Sequence, residues 1–231
     1  MTVRISCAPS AEHWPEMALA RILTLMTEAV SARGHCHVML TGGNTAARLY
    51  DHWRVAGGIP SLPLTLYFGD ERCVPPDDPE SNFGLAQRRL FPDGLPAAVT
   101  VHRMQGELAD REAAAAAYAA LLPPAVDLVM LGMGGDGHIA SLFPGSPLLD
   151  ERIRQVAPAT GPNPPRERLT VTPPVLAAAR HLLLLAPGGA KAQVLAQALI
   201  TPADTPALPV RLTLSGEWLL DPESAARIKV E

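Results

Sequence analysis

The 231-residue chain has few cysteines, no excess of positive charge and no long hydrophobic run. Its three cysteines, Cys7, Cys36 and Cys73, form an odd set with no C-x-x-C pair. That excludes a disulfide framework and fits a reducing compartment. Lysine and arginine total 19 against 23 aspartates and glutamates, for a net charge of −4. Without a basic stripe, nucleic acid is not an expected partner, and an anionic substrate must be held by a few local cations. Apolar runs such as Leu182 to Pro187 are too short to cross a bilayer. No basic segment followed by an apolar one marks a signal peptide. The expectation is a cytoplasmic protein without membrane partners.

What is present suits a globular fold. Hydrophobic residues make up 48% and charged residues 18%, so disorder is excluded as the main state. The pattern alternates strands and helices without a long linker, and we expect a single α/β domain over residues 1–231. Leu19, Ile22, Leu23, Met26 and Val30 share one face of a helix between Ala11 and Arg33, with Pro15 in its first turn and Gly34 at its end. Strands are expected at 36–40, 64–68, 99–102, 126–131 and 182–186. Helices are expected near 45–53, 83–90, 111–121 and 190–200. Continuous apolar runs such as 127–131 suit a mainly parallel, Rossmann-like sheet covered by helices on both faces. A proline-rich stretch spans 158–165.

In such sheets ligands collect where strands end and helices begin. Three polar, glycine-containing loops occupy such places. Thr41-Gly42-Gly43-Asn44-Thr45 can bring backbone N–H groups and a helix N-terminus to an anion, or can be an ordinary capped turn. Gly69-Asp70-Glu71-Arg72-Cys73 clusters charge where an apolar strand stops, unless Arg72 merely pairs with Asp77 or Asp78 at the surface. Gly132-Met133-Gly134-Gly135-Asp136-Gly137-His138 matches G-x-G-x-x-G. A dinucleotide fingerprint would need an acid about twenty residues on, and 153–163 contain none. Asp136 and His138 instead supply a carboxylate and an imidazole at a strand end. Two cations add to these loops. Arg168 opens the run 168–172, and Lys191 lies in a helix's first turn, misplaced against the dipole unless it shares an anion with a helix N-terminus. His35-Cys36-His37 is a weak metal candidate, because on a strand Cys36 faces away from both histidines and no second ligand pair is spaced to help. Nothing distinguishes Cys73 from a small apolar residue.

Together these segments resemble the 6-phosphogluconolactonase family, related to the glucosamine-6-phosphate isomerases/deaminases. The resemblance is carried in order by 40–45, 69–75, Ser81-Asn82, 132–144, 165–170 and 189–191. It implies an α/β/α sandwich that hydrolyses 6-phospho-D-glucono-1,5-lactone to 6-phosphogluconate, in the pentose phosphate pathway, with no organic cofactor; the lack of a credible ligand set and the presence of a loop histidine add the expectation of activity without metal. The expected partner is the sugar-phosphate lactone, met by a monomer or small homo-oligomer. The loop that commonly reads Ser-Gly-Gly-Ser-Thr-Pro has Thr41, Asn44 and Ala46 here, and Ile139 stands where lactonases commonly carry threonine. Deaminases follow this loop with an acidic Asn-Glu-Pro-like segment, whereas this chain has Ser141-Leu-Phe-Pro144.

Imidazole titrates near neutral pH and suits the deprotonation of water. His138 is therefore expected to activate water and return the proton to the leaving ring oxygen, with Asp136 or Asp70 orienting it. Arg72, Arg168 and Lys191, with the N–H groups of Gly42, Gly43, Asn44 and Thr45, are the expected phosphate and oxyanion partners. A deaminase-like enzyme and a non-catalytic sugar-phosphate-binding protein are the alternatives. Ammonia release would mark the first, binding without turnover the second.

Overall fold

A computed structural model describes residues 3–200 and 208–228; the ends of the 1–231 span expected for the domain lie outside the described residues. In chain order the strands are β1 (Arg4–Cys7), β2 (Cys36–Leu40), β3 (Leu64–Phe68), β4 (Asp70–Arg72), β5 (Val99–Val101), β6 (Leu128–Gly132), β7 (Val156–Thr160), β8 (Glu167–Val171), β9 (His181–Leu185) and β10 (Glu217–Leu220). The helices are α1 (Trp14–Arg33), α2 (Gly43–Val55), α3 (Asn82–Arg89), α4 (Arg111–Ala119), α5 (Pro173–Ala178), α6 (Ala192–Ile200) and α7 (Pro222–Ala225).

Seven strands form one parallel sheet in the order β1-β10-β9-β6-β2-β3-β5. Strand residues alternate between two cores. Cys36, Val38, Leu40, Leu64, Leu66 and Phe68 pack towards α1, α2 and α3. Met39, Tyr67, Val129, Leu131, Leu184 and Trp218 face the other core, which includes residues of α4, α5 and α6. Burial on both faces is why these strands are apolar throughout. From β2 the chain proceeds outward through β3 and β5, and from β6 in the opposite direction through β9 and β10. The order reverses between β2 and β6, so the crevice of an open α/β sheet belongs at their carboxyl ends.

A second sheet, β4-β8-β7, is antiparallel. The proline-rich stretch begins inside it: Pro158 pairs with Leu169 on the edge strand β7, where a missing N–H can face outward. Helix α1 starts at Trp14 rather than Ala11 and ends at Gly34, whose φ of 76° lies in the left-handed region. Among the described residues no helix is long and apolar enough to cross a membrane.

Candidate active site

Strand β2 ends at Leu40, and the parallel ladder with β3 stops one peptide later. There Thr41 turns its side chain towards β6, and Thr41 Oγ1 accepts the Gly132 N–H at 3.2 Å. The chain then turns through Gly42 and through Gly43, at φ 82°, into α2. No side chain caps this helix, so its first N–H groups are left for a ligand. A side chain at position 42 would force Asn82 to move, because a Cβ there would come within 1.8 Å of Asn82 Oδ1.

The loop after β3 is ordered by Glu71. This carboxylate is 2% exposed and accepts from the N–H groups of Arg72, Asn82 and Phe83 at 2.7–2.8 Å and from Ser81 Oγ at 3.0 Å. Burial pushes its carboxyl up, against the four hydrogen bonds. Glu71 is thus the anchor of α3, and it sets Asn82 against Asp70: Asn82 Nδ2 donates to Asp70 Oδ1 at 3.1 Å, and Ser141 Oγ donates to Asp70 Oδ2 at 2.7 Å.

The third loop follows β6. His138 Nδ1 and Asp136 Oδ1 lie 2.6 Å apart, and the His138 N–H donates to the same oxygen at 3.1 Å. A carboxylate only accepts, so Nδ1 carries the proton and Nε2 is left as the base. The ring also packs on Phe143, with centroids 4.7 Å apart. Gly134 makes this possible: a Cβ there would come within 2.2 Å of the imidazole and 2.7 Å of Asp136 Oδ1. Ala140, just beyond, has φ 48°.

The three loops enclose a cavity of about 310 Å³. Gly42, Gly43, Asn44 and Thr45 border it, as do Asp70, Arg72, His138 and Lys191. Lys191 ends a 3-10 turn ahead of α6, and its Nζ donates to Thr45 Oγ1 at 3.2 Å. That contact joins the cation to the N-terminus of α2. Burial lowers the pKa of Lys191 while Asp221 opposes the shift. Thr41, Asn82, Met133 and Ala140 also line the cavity and were not among the expected site residues. Ser81-Asn82, directly before a predicted helix, was the available signal for Asn82.

The structure decides between two pairs of alternatives and places one expected residue elsewhere. Of the two carboxylates, Asp136 holds the imidazole; Asp70 is bound instead by Asn82 and Ser141. Arg72 pairs neither with Asp77 nor with Asp78 but with the carbonyl and carboxylate of Glu80, because the turn at 75–81 folds back over β4. Arg168 does not border this cavity. On β8 opposite Arg72, it lies close to Gly161 and lines a second cavity together with Phe143. It is 8% exposed, and its Nε and Nη1 have no partner. Burial and then the Arg72 charge pull its pKa below the usual arginine value.

Comparison with known proteins agrees with this fold. A 6-phosphogluconolactonase of Streptomyces coelicolor is 37% identical, over 94% of this chain and 91% of its own length. One from Homo sapiens is 40% identical, over 85% and 82%. The solved three-dimensional structure of 6-phosphogluconolactonase from Trypanosoma brucei superposes with a TM-score of 0.83 at 26% identity, covering 99% of each chain. The family model for glucosamine-6-phosphate isomerases/6-phosphogluconolactonase matches residues 9–219, and the chain belongs to that family.

Proposed function

We propose that the protein hydrolyses 6-phospho-D-glucono-1,5-lactone to 6-phospho-D-gluconate, the lactone-opening step of the pentose phosphate pathway. The observation that carries this reading is one cavity bordered both by the His138–Asp136 pair and by Lys191 joined to the N-terminus of α2. The first supplies a base, the second a receptor for a dianion.

Lys191 and the N–H groups of Gly42 to Thr45 hold the phosphate, which sets the lactone carbonyl before His138. Nε2 of His138 takes a proton from water as the oxygen attacks the carbonyl carbon. Asp136 stabilises the imidazolium that forms, without itself taking the proton. Arg72 bears on the developing oxyanion. When the tetrahedral species collapses, the bond from the carbonyl carbon to the ring oxygen breaks, and His138 returns its proton to that oxygen. One water is consumed and one carboxylic acid and one hydroxyl are made. Asp70, fixed by Asn82 and Ser141, orients sugar hydroxyls or the attacking water. The unpaired cysteines among the described residues support a cytoplasmic setting.

The direct test is acid release from freshly made phosphorylated lactone, measured above the spontaneous rate. Turnover confined to this substrate supports the reading. Ammonia release from glucosamine 6-phosphate, or binding without turnover, would reject it.

A further inference from the structure

The loop expected to receive the phosphate has no side-chain cap, two adjacent glycines and a left-handed residue at Gly43. Such a backbone has little reason to hold one conformation by itself. Its entry is nevertheless fixed from beneath. Tyr50, seven residues into α2 and fully buried, directs its phenol back at Thr41: the oxygen accepts the Thr41 N–H at 3.3 Å and donates to the Thr41 carbonyl at 2.6 Å. Both backbone polar groups of one residue are thus taken up by one side chain from the helix that this residue precedes. The Thr41 side chain simultaneously holds β6 through Gly132.

We propose that Tyr50 is a positioning residue for phosphate recognition, acting through Thr41 to fix the Gly42–Thr45 N–H groups at the receptor geometry. It touches no reacting atom. The proposal rests on the reading that this loop and Lys191 take the phosphate. The N-terminus of α2 directs its N–H groups along the helix axis, but their convergence depends on how the chain enters the helix. Thr41 is that entry point. The two hydrogen bonds hold the successive peptide groups on either side of the Thr41 α-carbon, and so restrain the orientation of both, which a single bond would not do. Burial pushes the phenol's pKa above its usual value, so the proton it donates stays in place.

Tyr50→Phe removes both bonds and leaves the ring. With phosphorylated lactone, KM should rise roughly tenfold while kcat stays within about twofold, the signature of lost ground-state binding. The inhibition constant of inorganic phosphate should rise in parallel, and kcat/KM for unphosphorylated glucono-1,5-lactone should not change. A merely structural tyrosine would lower Tm and leave these constants alone below the transition; that result would overturn the proposal, as would equal damage with both lactones. Lys191→Ala is run beside it. If that variant also leaves KM for the phosphorylated lactone unchanged, the phosphate reading itself fails; if it raises KM and Tyr50→Phe does not, only the clamp fails. Should Tyr50→Phe not fold, Thr41→Val loosens the same residue from the β6 side and must give the same split, and unchanged constants there overturn the proposal equally.

Discussion

The imidazole Nδ1 of His138 lies 2.6 Å from Oδ1 of Asp136, two residues back in the same loop. So short a connection holds ring and carboxylate together through the turn rather than through the fold at large. The pair therefore depends on the turn's own geometry. His138→Ala should lower turnover by about 10²–10⁴-fold with KM changed much less. A folded variant with near-normal turnover would remove His138 from the mechanism.

Gly134 offers a sharper test, because it reaches the chemistry only through space. Its α-carbon lies where a methyl group would meet the His138 ring, whereas the position of a Cβ on the next residue, Gly135, is open. Neither glycine has a left-handed φ, so alanine strains neither backbone. Gly134→Ala should displace the ring and reduce kcat roughly 10²-fold, since misplacement by about 1 Å can cost that much. Gly135→Ala should behave as wild type. Equal effects from the two substitutions would show that the loop's flexibility, not the space under His138, is what matters.

The strands most clearly legible in the sequence were the central ones. Cys36–Leu40 and Leu64–Phe68 match the expected spans residue for residue, because burial on both faces leaves an uninterrupted apolar signature. The edge strand Arg4–Cys7 and its neighbour Glu217–Leu220 are four residues long and mixed in polarity, and nothing local marks them. β7 was hidden by Pro158, whose cost disappears only on an edge. The site followed the same division. His138, Asp136, Lys191 and the Gly42–Thr45 loop lie near strand ends and helix starts that the pattern located. Asn82 reaches the cavity because Glu71 draws the start of α3 down onto β4, and a tertiary contact of that kind has no periodic trace. The placement of Arg168 likewise depends on the second sheet, whose pairing the sequence did not announce.

Acid should weaken the fold through His37. Burial, reinforced by His35 with ring centroids 4.8 Å away and opposed by Asp127, pulls the pKa of His37 below its ordinary value. The unfolded chain therefore binds this proton more readily than the folded one. The stability it contributes is complete above the unfolded value of about 6.5 and is lost as pH falls through the folded value. Tm should decline between about pH 7 and pH 5, and His37→Gln should make that decline shallower. Parallel declines for the two proteins would assign the acid sensitivity elsewhere.

Alkali should act on binding instead, through Lys191. Its pKa is lowered by burial, so in the free protein the ammonium is lost at a lower pH than for an ordinary lysine. Each proton lost removes a partner of the phosphate. The kcat/KM profile, which reports the free protein, should fall on the alkaline side well before kcat does. Lys191→Arg keeps its charge and should flatten that limb even if the overall rate drops. An alkaline limb unchanged by the substitution would identify a different group.

Arg168 should be a residue whose removal stabilises the fold and harms the activity. The residue is 8% exposed, two of its side-chain nitrogens lack a hydrogen-bond partner, and the Arg72 charge opposes its own. A buried cation without hydrogen-bond partners is costly, and the charges of Asp70 and Glu80 offset this one only in part against burial and Arg72. An anion arriving near Arg72 would add to that offset, which gives the pair of arginines a use only when substrate is bound. Arg168→Met keeps much of the length and removes the charge. If relief of the buried charge is worth about 1 kcal/mol, Tm should rise by roughly 2–4 °C for a chain of this size. At the same time kcat/KM should fall by about tenfold for the phosphorylated and the unphosphorylated lactone alike, because Arg168 stands opposite Arg72, the oxyanion partner, and outside the cavity that takes the phosphate. Calorimetry and kinetics on the same preparation distinguish the outcomes. A lower Tm with normal kinetics would make Arg168 an ordinary structural residue beside Gly161, and a loss confined to the phosphorylated lactone would move its charge from the oxyanion to the phosphate.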